Sequence, residues 1–110
     1  MLEQKEIKEK LKILADKYPD FEKVDLDYYG SGDSFESYDV NITPCSAENY
    51  KKINNEDFEE LFWDMVERAD SNFNNDGSRG TVTFNLKELT ISIDDYCIYI
   101  EEAINYSQTF

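Results

Sequence analysis

With 110 residues, 25 acidic against 11 basic side chains and no histidine, the chain has material for one domain and no more. A net charge of −14 repels nucleic acid and anionic membrane, while 40% hydrophobic and 15% aromatic residues exclude disorder from low hydrophobicity. Without histidine, every histidine-based triad, proton relay and metal site is ruled out.

The charge is uneven. Residues 1–17 set Lys5, Lys8, Lys10, Lys12 and Lys17 against Glu3, Glu6, Glu9 and Asp16, so the remainder of the chain carries the whole negative balance. That balance favours encounter with basic surfaces. The start MLEQKEIKEK has no apolar signal-peptide core, and no apolar run approaches a membrane span, so a soluble cytoplasmic protein is expected. Cys45 and Cys97 are the only cysteines and have no CxxC spacing. Reduced thiols suit a cytoplasmic protein, and a single disulfide between them stays open.

Ile7, Leu11, Leu14 and Tyr18 recur at helical spacing, with Glu6 and Lys10 set to pair on the exposed face. Pro19 ends that helix, because the residue before a proline is pushed out of the α region. From Val24 the period changes to two: Val24, Leu26 and Tyr28 share one face of a strand, and Asp25, Asp27 and Tyr29 the other. The stretch YYGSGDS (Tyr28 to Ser34) reads as a glycine turn, after which Tyr38, Val40 and Ile42 alternate again up to Pro44. The result is a hairpin with an acidic outward face.

Residues 43–55 are polar, with a short helical turn after Ser46, and Asn54 or Asn55 is placed to cap a second helix. Phe58, Leu61, Phe62, Met65, Val66 and Ala69 follow the i, i+3, i+4, i+7 pattern, the strongest periodic signal in the chain. Trp63 falls off that stripe, beside Glu59, Glu60, Asp64 and Glu67. After the loop NFNNDGSRG, Val82, Phe84 and Leu86 alternate, Lys87-Glu88 turns the chain, and Leu89, Ile91 and Ile93 alternate. Beyond Asp94-Asp95 the alternation resumes in another phase, which a bulge in one long strand explains better than a helix. The tail from Asn105 is expected to be loose. Residues 1–110 are thus expected to form a single acidic α+β domain in the order helix, hairpin, helix, hairpin. Its sheet would be four-stranded and mainly antiparallel, with two helices on one face.

Few motifs point to chemistry. Asn72-x-Asn74-x-Asp76-Gly77 imitates the start of a calcium loop, but position one is Asn72 and position twelve is Thr83 instead of a bidentate glutamate. A turn using Gly77 and Gly80 at positive φ accounts for it. The Gly-x-Gly of YYGSGDS lacks the lysine and the following helix of a phosphate loop, and Asp33 would repel phosphate. Paired carboxylates such as Asp25 with Asp27 or Asp94 with Asp95 are abundant, but a catalytic pair needs an acid in an apolar pocket. No enzyme activity, cofactor or metal is expected.

The segments Tyr-x-Gly-Ser-Gly-Asp-Ser (Tyr28 to Ser34) and Asn-Asp-Gly-x-x-Gly (Asn75 to Gly80) resemble an uncharacterised family of small acidic bacterial, phage and plasmid proteins. Phe35 stands where that family usually has glycine. The family has no activity to carry over, so the resemblance implies only a mobile-element setting.

The expected function is that of an acidic inhibitor. It would occupy the basic, nucleic-acid-binding surface of a partner protein such as a nuclease or defence-system effector, without touching nucleic acid or membrane itself. In general character this resembles anti-CRISPR and anti-restriction proteins that act as nucleic-acid mimics. Candidate partner contacts are the carboxylates Asp25, Asp27, Asp33, Asp39, Glu59, Glu60, Asp64 and Glu67, with Ser31 projecting from the glycine turn and the aromatics Tyr29 and Trp63 as anchors. The alternatives are an immunity protein or antitoxin that neutralises a basic nuclease toxin, and a small-ligand or metal-binding domain using Asp33 and Asp76 at the two glycine loops. A monomer or homodimer fits each of these.

Overall fold

The computed structural model describes residues 2–31, 34–69, 78–97 and 103–110. Among these the order is α1 (Gln4–Lys17), β1 (Lys23–Ser31), β2 (Ser34–Thr43), α2 (Ala47–Lys52), α3 (Glu56–Ala69), β3 (Ser78–Asn85), β4 (Thr90–Cys97) and β5 (Ala103–Thr109). The strands form one sheet in the order β2-β1-β3-β4-β5, each pair antiparallel. The α+β class stands as expected, but the sheet has five strands where four were expected, and a third helix precedes α3.

The additional strand comes from the segment expected to be loose. Its short polar sequence has little strand signal of its own, and β4 supplies its hydrogen bonds. The end is tied down as well: Phe110 N–H donates to Ile91 O at 2.7 Å, and Ile91 N–H donates back at 3.1 Å. A bulge was expected in one long strand running past Asp95 through Tyr96, Ile98 and Ile100. β4 instead ends at Cys97, and Ile98 and Ile100 lie outside the described residues. The register shift at this point belongs to the β4–β5 pairing. Asp95 faces Tyr106 and Tyr96 faces Ile104, which leaves Asn105 as the extra residue, on β5. Against β3, β4 keeps an unbroken register, so Ile91, Ile93 and Asp95 continue on one face.

That face is the core. Val24, Leu26, Tyr28, Ile42, Val82, Phe84, Ile91 and Ile93 from the sheet meet Ile7, Leu11 and Leu14 of α1 and Phe58, Leu61, Phe62, Met65 and Val66 of α3, all buried. Phe62 touches the rings of Tyr28, Tyr38 and Trp63, and Phe58 those of Tyr18 and Phe84. Asp95 shares this face and is fully buried, where it accepts a hydrogen bond from the Tyr28 hydroxyl. The register explains the reach: Tyr28 faces Gly80, and Gly80 faces Asp95, so the tyrosine ring crosses a strand where no side chain stands. Gly80 was expected to serve a positive-φ turn. It lies instead within β3, and close approach is what requires it.

Local chemistry sets the connections. The Ser46 hydroxyl accepts from Asn49 N–H at 3.1 Å to start α2, and the buried Asn49 amide donates to Pro44 O at 2.9 Å, beyond the cis Thr43–Pro44 bond. Asn54 Oδ1 accepts from Glu56 N–H at the start of α3. Tyr18, at the end of α1, donates to Asp57 at 2.6 Å and accepts from Asn54 N–H at 3.0 Å, which joins the two helix termini. Asn85 Oδ1 accepts from both Lys87 and Glu88 N–H in the β3–β4 turn, where Leu89 sits at φ 56°. Lys10 bonds Glu60 across the helix pair at 2.9 Å, the interaction expected within α1 with Glu6.

Candidate functional site

Among the described residues, no helix covers the second face of the sheet. Register places Asp39, Asp27, Thr81, Asp94 and Ser107 in one row across all five strands, and Asn41, Asp25, Thr83, Ser92 and Thr109 in the next. None of these side chains is buried. Neighbouring strands lie about 4.8 Å apart, so the two rows form an acidic field about 20 Å wide.

Neighbours hold three of the four carboxylates in place. Thr83 Oγ1 donates to Asp25 and Thr81 Oγ1 to Asp27, both at 2.6 Å, Asn41 Nδ2 donates to Asp27 at 3.0 Å, and Ser107 Oγ donates to Asp94 at 2.5 Å. Hydroxyl and amide donors orient each acid without neutralising it. Asp39 faces Asp27 directly, and two like charges about 6 Å apart cost about 0.7 kcal/mol in water. A cation arriving over that pair would gain from both. The basic residues Lys23 and Arg79 bracket the field at opposite ends of the strands, Arg79 facing Tyr29. A shallow groove lined by Asp27, Tyr29, Asp39, Arg79 and Thr81 runs over it, and Tyr29 is 45% exposed.

The sheet divides the expected contacts between two surfaces. Asp25, Asp27, Tyr29 and Asp39 gather on the open face, while Glu59, Glu60, Trp63 and Glu67 lie on α3 in the opposite layer. On α3 the charges are partly engaged: Glu59 accepts from the Tyr38 hydroxyl at 2.9 Å and Glu60 is paired with Lys10. Asp57 and Lys17 form a second bridge between α1 and α3 at 2.6 Å. The Lys17 ammonium, and then the Tyr18 hydroxyl, hold the Asp57 carboxyl below its ordinary range. Trp63 is 42% exposed over Phe62, in a shallow recess lined by Leu2, Glu60, Asp64 and Glu67. Asp64 does not belong to any outward field. It is 7% exposed, accepts from Arg68 Nε at 2.7 Å and from Leu2 N–H at 2.9 Å, and serves the interior. Ser31 ends β1, and Asp33 lies outside the described residues, as does the loop carrying Asp76.

Sequence reasoning missed Asp94 as part of the site, together with the donors Thr81, Thr83, Asn41 and Ser107. The signal was present as period-two hydroxyl and acid positions, Thr81-x-Thr83 and Ser92-x-Asp94, beside apolar Val82, Phe84, Ile91 and Ile93. Among the described residues no group of three or more histidine, cysteine, aspartate or glutamate side chains is arranged to hold a metal ion. Cys45 is free and exposed. No helix among the described residues is long and apolar enough to cross a membrane.

The Tyr38 phenol links the site's edge to α3 and offers a check on the geometry. Burial, and then the Glu59 carboxylate that accepts its hydrogen bond, push it up to about 12 from 10.0. A raised value means that its contribution to stability is intact below pH 10, declines as pH rises and is gone beyond about pH 12. Tyr38→Phe is therefore expected to shallow the alkaline loss of stability between those limits in denaturant titrations. An unchanged alkaline limb would contradict the Tyr38–Glu59 contact.

Comparison of the chain with protein-family models, with curated proteins and with solved structures gives no match.

Proposed function

We propose that this chain is an acidic interaction protein that occupies a basic, nucleic-acid-binding surface of a partner protein, in the manner of anti-CRISPR and anti-restriction inhibitors. The observation that carries the reading is the open sheet face, on which Asp25, Asp27, Asp39 and Asp94 stand outward, three of them held by donors on adjoining strands. Carboxylates oriented before contact lose little rotamer freedom on binding, which favours recognition of a cationic surface over mere solubility. The net charge of −14 adds long-range attraction that speeds encounter. The mobile-element resemblance points to defence-system effectors as the partner class.

The reading requires competition. A basic effector that binds the chain should lose duplex DNA as the chain is added, one molecule for one, and binding should weaken steeply with added salt. Asp25→Asn, Asp27→Asn, Asp39→Asn and Asp94→Asn combined should slow association by about tenfold or more while leaving the fold intact. An effector that holds the chain and DNA together, or association indifferent to both salt and the combined variant, would overturn it.

A further inference from the structure

One edge of the acidic field is also an edge of the sheet. Among the described residues β2 is the outermost strand on that side, paired with β1 alone. Two hydrogen bonds establish which of its peptide groups look outward. Thr43 O accepts from Glu22 N–H at 2.7 Å and so points toward the β1 side, whereas Ile42 N–H points away and donates to the Tyr50 hydroxyl at 3.0 Å. Peptide groups alternate along a strand, so the N–H and C=O of Val40 share the outward direction of Ile42. Tyr50 of α2 covers the edge at Ile42, and the register shift that leaves Glu36 without a partner interrupts it at the other end. Between these two stops, among the described residues, the edge is open at Val40.

The side chains around this opening differ on its two faces. On the outer face Asp39 stands at the border of the acidic field, next to Asp27. On the inner face half-buried Val40 borders a groove lined by Tyr50, Ile53, Asn54, Asn55 and Glu56. We propose that this edge takes up an extended segment of the basic partner as an added strand, with alternating basic and apolar side chains. Basic residues of that strand would lie opposite Asp39, on the acidic face, and apolar residues would enter the groove beside Val40. Main-chain hydrogen bonds to Val40 supply affinity, and the alternation supplies specificity, as in other strand additions. A second copy of the chain is a poor occupant, because antiparallel self-pairing would bring the two Asp39 carboxylates to the same face of one edge. The inference rests on a cationic partner and adds how that partner is held.

Two synthetic peptides of equal charge test it: Lys-Val-Lys-Val-Lys-Val-Lys, able to add as a strand, and Lys-Pro-Lys-Pro-Lys-Pro-Lys, which lacks the alternate N–H groups. The first is expected to bind at least about tenfold more tightly at moderate salt and to slow amide exchange at Val40. Val40→Pro should abolish the difference, because proline is tolerated where an edge N–H faces solvent. Asp39→Lys, which leaves the edge peptide groups in place, should weaken the valine peptide if Val40→Pro does not fold. Equal binding of the two peptides would overturn strand addition and leave the acidic-face reading standing, whereas no binding of either at low salt would overturn both. A dimer of the chain that Val40→Pro dissociates would make the occupant a second copy and overturn the proposal as well.

Discussion

Gly80→Ala is expected to cost about 3 kcal/mol or more, one of the largest effects of a single methyl group in this fold. A Cβ at that position would lie 2.5 Å from Tyr28 Oη and 2.7 Å from Tyr28 Cζ, and closer still to the Asp94 carbonyl. The carbonyl is backbone, so it cannot rotate away, and the ring cannot lift without leaving the buried Asp95 carboxylate. Overpacking and a weakened buried hydrogen bond therefore add in the same direction. For a domain of this size the melting temperature should fall by about 12 °C or more. Tyr28→Phe removes the hydroxyl but leaves the carbonyl, so the double variant should not recover wild-type stability. A Gly80→Ala protein within about 1 kcal/mol of wild type in urea titrations would contradict the crossing of Tyr28 over β3.

The second large effect is expected at Arg68. Its guanidinium bonds Asp64 at 2.7 Å, donates to Leu2 O, and lies 4.7 Å over the Phe110 ring. One side chain thus ties α3 to the segment before α1 and to the residue after β5. Arg68→Ala would leave Asp64, at 7% exposure, with the Leu2 N–H in place of a counter-charge. Removing one member of a buried pair costs about 3 kcal/mol or more, whereas replacing both by apolar groups of similar volume is often close to neutral. Arg68→Ala should therefore lower stability strongly, and Asp64→Leu with Arg68→Met should recover most of the loss. If the single variant and the pair are equally destabilised, the cost comes from lost packing and not from a stranded charge. Charge reversal at Asp64 would for the same reason report on folding and not on partner binding.

These two sites mark where sequence and structure part. The α1 and α3 stripes, the alternation of β1 and β2, the Pro19 stop, the Ser46 and Asn54 contacts and the turn at Lys87-Glu88 were all legible, because each depends on residues within one or two turns of chain. Asp64 and Asp95 were not. Each sits among other acids in sequence, and its burial depends on contacts that the acidic run does not announce: Arg68 one turn along α3 and the distant Leu2 N–H for Asp64, and the distant Tyr28 hydroxyl for Asp95. The tail from Asn105 misled for a related reason: its hydrogen bonds belong to β4, which no local pattern announces. The outward position of Asp25, Asp27 and Asp39 followed from alternation alone, but their grouping with Asp94 needed the strand order.

By itself the sequence determined the class of fold, the apolar faces of its helices and strands and the acidic character of the chain, since local periodicity and net charge are properties of the chain however it packs. The tertiary structure alone decided which carboxylates share a surface, which are consumed inside the molecule and which strand is left with an open edge. Those outcomes depend on strand order and register, which bring together residues far apart in the chain, and the energy that selects them resides in contacts between elements.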